Sequence, residues 1–524
     1  MSINCMRALI EKANRKSPNE IAIIDGKQKL TYNELFTKVN QVAHYLSELE
    51  LSKGSRIGIY SYKGVEQVIA ILAVMSTKHI FVPISRLLKP EQVKHIINDC
   101  GITCIITDKA KLKSLDEVIF DGTIITYEAT GREMVSFEEI YKCCTKKYEC
   151  VIGGHSNAVI TYSVGSSGSP KGIVITHRNL VDSARVASQY LDIQKEDVIS
   201  GILPFTFDYG LNQMCCAVYK RATLAVHSML LSSDFFNHVL NDKVTIIPLM
   251  PIHITQMFDD ESMRVPNHKL LSNVRLITSS GGKLTEKMRK DIESHYTNAE
   301  FYSMHGLTEA FRSTYLEPSQ LKIRPDSIGK PIPDVEIYVI NEDGVECKPR
   351  EVGELIHRGG YIYKGYWNAK DDTDKLYKSI KVLEKVVNLD GDLTDEIVVC
   401  SGDYVYKDEE GYIYFDSRKD EIIKSCGFRF SPAEIEKVVY DNLAFVKECA
   451  VFSIENELIE EEIIMVYSAL VEVAKNEILF ELKKHLPNHM IPSVVLFKQK
   501  LPQTNTNGKK IDKNALKKEV LDLV

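Results

Sequence analysis

Residues Thr161–His177, TYSVGSSGSPKGIVITH, place three glycines, four serines, one proline and one lysine at the junction of two apolar, β-branched runs. Ala158–Ile160 leads in and Ile173–Thr176 leads out, so the spacing predicts strand, small-residue loop, strand. A loop of Gly and Ser brings backbone N–H groups and hydroxyls close to a polyanion, because no Cβ bulk intervenes. Lys171 adds a positive charge, and a nucleotide phosphate is the guest such a loop suits. A plain surface loop can share this composition. The Walker pattern is excluded, because it needs Gly-Lys-Ser/Thr and Lys171 stands between Pro170 and Gly172.

The alternation of strand and helix extends outward from that loop. Upstream, Ile21–Ile24 reads as a strand. Thr31, with Glu34 three residues on, opens a helix to Leu49 with a capping box. Arg56–Tyr60, His79–Val82 and Ile102–Thr107 read as strands, with a helix over Gly64–Ser76. Downstream the rhythm continues through strands at Val198–Leu203, Thr223–Val226, Val244–Ile247 and Val274–Ser279. This pattern predicts an α/β fold with largely parallel sheets. From about Val335 it changes. VEIYVI, GELIHRG and short strands near Val398–Tyr406 predict an antiparallel β region, and Gly411–Asp416 alternates like an edge strand. Ser431-Pro432-Ala433-Glu434 is a second capping box and opens a small α+β unit. The expected division is a large domain over residues 1–417 and a small mobile domain over 418–524.

The composition is that of a soluble globular protein: 524 residues, 44% hydrophobic and 26% charged, with a net charge of −7. That balance gives no case for nucleic-acid binding. The longest apolar run, near Val68–Met75, is too short to span a bilayer, so no membrane role is expected. The twelve cysteines form no Cys-x-x-Cys pair, and the cluster Cys143, Cys144, Cys150 lacks a histidine partner. They read as structural thiols rather than a zinc site or a disulfide framework. With no signal-like apolar stretch at the start, a cytoplasmic setting is expected.

The ordered string Tyr-Ser-x-Gly-Ser-Ser-Gly-x-Pro-Lys-Gly resembles the phosphate-binding signature of the adenylate-forming superfamily. That superfamily holds acyl-CoA synthetases, luciferases and the adenylation domains of peptide synthetases. Six further blocks follow in the family's order, so the resemblance runs from about Tyr32 to Lys509. It implies that Ser163, Gly165, Ser166, Ser167, Gly168 and Lys171 cradle the phosphates of ATP. Gly281-Gly282-Lys283 follows a strand and would form the adenine-side loop. Met304, His305 and Gly306 lead into Thr308 and Glu309. In this block, Thr308 would bond the α-phosphate, and Glu309 would hold Mg²⁺ as a hard oxygen ligand. His305 replaces the usual Tyr, and an imidazole can still stack on adenine. Asp403 would accept both ribose hydroxyls, with Arg418 as the second ribose contact; Ser417 stands where the family has Gly. Asp420 falls at the hinge position and Gly427 faces the thiol tunnel, with Cys426 at a position often basic in relatives. Lys509, in Asn507-Gly508-Lys509, is the expected catalytic lysine.

The implied reaction is ATP-dependent formation of an acyl-adenylate, with ATP and Mg²⁺, followed by transfer to a thiol. Many acyl-CoA synthetases carry His where Asp208 stands in LPFTFDYG, whereas amino-acid-activating relatives carry Asp, which pairs the substrate's ammonium. Tyr209, Asn212, Met304 and Arg312 complete the pocket candidates. Asp208 could instead cap a helix beginning at Gly210, and Arg312 could be a buried structural ion. FDYGLNQ with HGLTEAFRSTYL looks most like stand-alone ligases that load an amino acid such as proline onto the phosphopantetheine of a separate carrier protein. A CoA ligase for a small or medium carboxylic acid is the alternative. A non-catalytic nucleotide-binding regulator is a third, weakened by the joint presence of Lys509, Glu309, Asp403 and Arg418.

Overall fold

The computed structural model describes residues 4–88, 90–131, 134–143, 148–164, 170–227, 232–258, 271–282, 284–389, 395–418, 423–425, 428–456, 460–504 and 510–521. The chain forms two compact units. The first takes residues 1–325, 329–336 and 358–377; the second takes 326–328, 337–357 and 378–524.

The first unit is α/β, as the strand-helix rhythm predicts. One sheet runs, in spatial order, Val135–Ser136, Thr123–Thr126, Ile102–Thr107, Arg56–Tyr60, Ile80–Pro83, Asn157–Val164 and Pro170–Thr176. Its pairings are parallel except the last, where Asn157–Val164 and Pro170–Thr176 run antiparallel. The small-residue loop thus joins a hairpin at one edge of that sheet. In the other sheet, Glu300–Gly306, Leu276–Ser279, Ile246–Leu249, Val198–Gly201, Thr223–Val226 and Ile21–Asp25 follow one another in parallel. Arg312–Leu316 adds to the Glu300 strand antiparallel. The strand expected at Val244–Ile247 lies two residues later. Val244 N–H still bonds the Val239 carbonyl of the preceding helix, and Lys243 sits at φ +55°, so the chain is turning there.

The helix termini follow their local chemistry. Thr31 and Glu34 form the expected capping box for Tyr32–Glu48. Thr176 and Asn179 form another for His177–Tyr190. Each reciprocal pair satisfies two otherwise orphaned N–H groups.

In the second unit, Gly353–Gly359, Ile397–Lys407 and Ile413–Arg418 pair antiparallel. The region near Val398–Tyr406 is one eleven-residue strand rather than several short ones. The Gly411–Asp416 stretch is not an edge. Its strand lies between Ile397–Lys407 and the start of Ser327–Pro331, and Ser327 Oγ donates to the Ile413 carbonyl at 2.7 Å. The remainder is the expected small α+β body. Val446–Asn456 and Glu460–Ala469 form a long antiparallel pair, and Ile423–Ser425 and Val494–Phe497 both add to the Glu460–Ala469 strand. Alternation splits its apolar residues between two faces. Cys449, Val451, Ile463, Met465 and Tyr467 pack on the Ser431-capped helix Pro432–Asn442. Ala450, Phe452, Ile464 and Val466 pack on Leu516 and Val520 of the last helix.

Candidate active site

The first unit builds its site at the carboxyl ends of parallel strands, the customary ligand side of such sheets. Leu203–Phe207 turns out of the Val198–Gly201 strand, and the helix Asp208–Lys220 begins at once, two residues before the start expected at Gly210. Phe207, which has no side-chain cap, leaves Asp208 in the first turn. Its Oδ1 accepts the Tyr209 N–H at 2.8 Å. A carboxylate at a helix N-terminus is favoured by the macrodipole. Burial acts the other way and raises its pKa, with the Arg312 charge partly countering that rise. Arg312 is buried, at the head of its strand, with its guanidinium carbon 4.1 Å from the Tyr209 ring centroid. Tyr209 in turn shares a short hydroxyl contact with Thr278. Burial pushes the Tyr209 phenol up to about 12, so it stays protonated and neutral. Asp208, Tyr209 and Arg312 are therefore brought together, with the Arg312 guanidinium over the Tyr209 ring and its charge acting on Asp208.

Asn212 is placed differently. Its amide donates to Ser183 Oγ at 3.2 Å, and Cys216 Sγ donates to its Oδ1, so it serves the packing of two helices. Met304 is buried beneath Tyr190, whose hydroxyl reaches its sulfur at 3.4 Å while its ring stacks on Tyr315 at 4.7 Å. His305 is half-buried, in register with Thr314. Gly306 must be glycine for packing reasons, because a Cβ there would lie 2.8 Å from the Phe311 carbonyl oxygen. Thr308 is exposed and Glu309 half-buried.

Glu309 is fixed by a segment to which the sequence reading assigned no role. Tyr363 N–H and the Tyr377 hydroxyl both donate to its backbone carbonyl at 3.0 Å, and the Tyr366 hydroxyl donates to its Oε1. The same segment reaches the hairpin of Asn157–Val164 and Pro170–Thr176: Trp367 N–H bonds the Gly172 carbonyl at 2.7 Å. Lys171 Nζ pairs with Asp372 at 2.8 Å. The aromatic density of Tyr361–Trp367 was the only sequence signal for this arrangement. Gly281 sits at φ +88°, a conformation that favours glycine, and Gly282 follows it after Ser279, whose buried hydroxyl has no partner among the described residues.

In the second unit, Asp403 and Arg418 are direct register partners across antiparallel strands. Arg418 Nε lies 3.1 Å from Oδ1 of Asp403, which is 1% exposed. The two residues expected to hold one ribose thus stand side by side, fifteen positions apart in sequence. The backbone at Ser163 belongs to the described hairpin. Gly165, Ser166, Ser167, Gly168, Lys283, Asp420, Gly427 and Lys509 lie outside the described residues, as does Cys144.

Two family models match the chain: AMP-binding enzyme over residues 10–367, and AMP-binding enzyme C-terminal domain over residues 434–509. The chain belongs to the AMP-binding enzyme family of AMP-forming ligases, which use ATP with Mg²⁺. Formation of an acyl-adenylate is typical of its adenylation domains and acyl-CoA ligases. Tyrocidine synthase 1 of Brevibacillus parabrevis is 27% identical over 97% of this chain, which spans 44% of that protein. Long-chain-fatty-acid–CoA ligase of Bacillus subtilis (strain 168) is 25% identical over 98% of this chain and 94% of its own length. Among solved structures, ATP-bound MatB from Rhodopseudomonas palustris matches with a TM-score of 0.86 at 21% identity, over 99% of both chains. These likenesses agree with the α/β fold of a large N-terminal and a smaller C-terminal domain. Among the described residues no helix is long and apolar enough to cross a membrane.

Proposed function

We propose that this chain activates a small amino acid, proline-like in size, as its acyl-adenylate and passes it to the phosphopantetheine thiol of a separate carrier protein. Asp208 carries this reading. It is a half-buried carboxylate at the head of a helix, with a single hydrogen bond to its own helix among the described residues. A substrate ammonium is the partner that would offset its desolvation.

The substrate carboxylate attacks the α-phosphorus of ATP, the bond to the bridging oxygen breaks, and pyrophosphate leaves. Catalysis of this kind is positioning plus charge stabilisation. The donor set suits that task. Asp403 and Arg418 would hold the ribose, Thr308 the α-phosphate, and Lys509 would bridge carboxylate and phosphate. The Glu309 carboxylate, oriented by Tyr366, is a hard donor fit for Mg²⁺, which supplies neutralising charge at the phosphoryl oxygens. Lys171 would exchange Asp372 for a phosphate oxygen, a small cost for a half-exposed pair.

The test is substrate-dependent ATP–pyrophosphate exchange across proline, other amino acids, aryl acids and fatty acids. Exchange with an amino acid, lost in Asp208→Ala, is the expected result. Exchange confined to acids without an amine would overturn it and favour the second reading, a CoA ligase. That second reading is supported by the match over 94% of the Bacillus subtilis long-chain-fatty-acid–CoA ligase, itself a CoA ligase by name.

A further inference from the structure

Downstream of the helix Asp208–Lys220 in the chain comes a group of side chains with no part in the proposed reaction. His227 follows the Thr223–Val226 strand, His238 lies in the helix Ser232–Asn241, and Asp242 follows that helix directly. His238 and Asp242 are four apart, so their side chains share one helical face. One ligand-capable atom from each of the three lies within 4.8 Å of the others. His227 Nε2 is 3.8 Å from Asp242 Oδ2, and His238 Nδ1 is 3.9 Å from the same oxygen. The imidazole centroids of His227 and His238 are 4.4 Å apart.

The burial of this group is what demands a ligand. The His227 side chain is 1% exposed, that of Asp242 is 8%, and that of His238, at 35%, leaves a way in from solvent. Both ring nitrogens of His227 and Oδ2 of Asp242 lack a hydrogen-bond partner among the described residues. Buried polar atoms are normally satisfied, and a convergent set left open points to something that satisfies all of them together. We infer that His227, His238 and Asp242 form a binding site for one divalent transition-metal ion of the zinc class, separate from the Mg²⁺ of the reaction.

The donor set of two imidazole nitrogens and one carboxylate oxygen is that of zinc-class ions rather than of Mg²⁺ or Ca²⁺. Metal–ligand bonds of about 2.0–2.2 Å separate tetrahedral ligands by about 3.3–3.5 Å, so each histidine closes on Asp242 by a few tenths of an ångström, and the two imidazole nitrogens, within 4.8 Å of each other, close by about 1–1.5 Å at most. Water would take the fourth position. Among the neighbouring charges, Lys63 acts on His227 and opposes a cation, while its ammonium donates to the carbonyls of Gly201, Ile202 and Leu203. The carboxylate of Asp242 would supply the offsetting negative charge at the ion itself. Asp25 and Lys29 stand near Asp242 and offset one another. The ion would tie the end of a parallel strand to the helix beyond it. Val226, which precedes His227, pairs in register with Gly201, from which the chain runs on to Asp208.

The test uses the full chain without a histidine tag, stripped with EDTA and dialysed against micromolar Zn²⁺. Wild type should retain one more equivalent of zinc than His238→Gln or Asp242→Asn. Loss of a group that hydrogen-bonds a metal ligand costs about 10–100-fold in metal affinity, and loss of a ligand should cost at least as much. His238 is partly exposed, so Gln there preserves the helix, and circular dichroism checks it. Cysteine sites are told apart with Co²⁺: the lost equivalent should show visible d–d absorption without a thiolate charge-transfer band. Zinc should also raise the melting temperature of wild type more than that of either variant. Wild type binding no zinc, or both variants keeping the full complement, overturns the proposal.

Discussion

At the scale of single residues, His177 shows how burial fixes a protonation state. It opens the helix His177–Tyr190 and is 1% exposed, and its Nδ1 accepts the Met6 N–H at 3.5 Å. An acceptor nitrogen must be unprotonated, and burial pushes the imidazole down from 6.5 to about 4. The unfolded chain takes up that proton from pH 6.5 downward while the folded chain does not. This contribution to stability is therefore intact above 6.5, falls as the pH drops to about 4, and is fully lost below it. At about 1.4 kcal/mol per pH unit the loss approaches about 3 kcal/mol. Asn can accept the same N–H without titrating, so His177→Asn should flatten the fall in stability between pH 6.5 and 4. Urea denaturation of both proteins across that range measures it, and identical slopes would refute it. Lys509 belongs to the same scale: by analogy with removing one oxyanion donor, Lys509→Ala should cost about 10²–10³ in adenylation, read as pyrophosphate exchange. Full activity in that variant would end its assignment as the catalytic lysine.

Among elements, the turn that delivers Asp208 is the most tightly constrained. A Cβ on Gly210 would lie 2.3 Å from the Pro204 carbonyl oxygen and 2.9 Å from that of Leu203. Both obstacles are backbone. Phe207 N–H bonds the Pro204 carbonyl, and Lys63 holds that of Leu203, so neither can swing away freely. Gly210→Ala should thus cost about 1–3 kcal/mol through overpacking. It should also raise KM for the carboxylate substrate by moving Asp208, while KM for ATP changes less. Thermal melting with steady-state kinetics decides this, and a variant unchanged in both would show that the turn relaxes. Elements of this kind were readable where their determinants are local. Arg56–Tyr60 and Ile102–Thr107 emerge with the bounds read from their β-branched runs. The capping boxes at Thr31 and Ser431 form from residues three apart. The grip of Tyr366 on Glu309 and of Asp372 on Lys171 joins positions 57 and 201 residues apart, and no local periodicity encodes such pairs. The cluster of His227, His238 and Asp242 is hidden for a related reason: His227 has no helical spacing to His238, so no local pattern pairs them.

For the whole molecule, the proposed function asks one chain to carry out two half-reactions whose requirements differ. In the proposed function, Lys509 would sit at the phosphate for adenylation, and thioester formation would need that lysine withdrawn and a path for the thiol past Gly427. Both residues fall in the segment from Arg418 onward, so a single rotation of that segment would exchange one set of groups for the other. The proposed rotation needs a segment with a core of its own. Its two apolar clusters draw on residues from Ile423 to Val520, on opposite faces of the Val446–Asn456 and Glu460–Ala469 pair. With Asp420 as the proposed hinge, its φ must change between the two steps. Proline there fixes φ near −65° and removes an N–H, which removes that freedom at a position outside the reacting groups. Asp420→Pro should therefore keep pyrophosphate exchange within about twofold of wild type and slow thioester formation by about tenfold or more, as expected when a gating motion is blocked. Following both half-reactions in the same preparation separates the possibilities. Equal losses in the two would mean that the substitution disturbs the fold, which melting would reveal, and no loss in either would place the pivot at another residue.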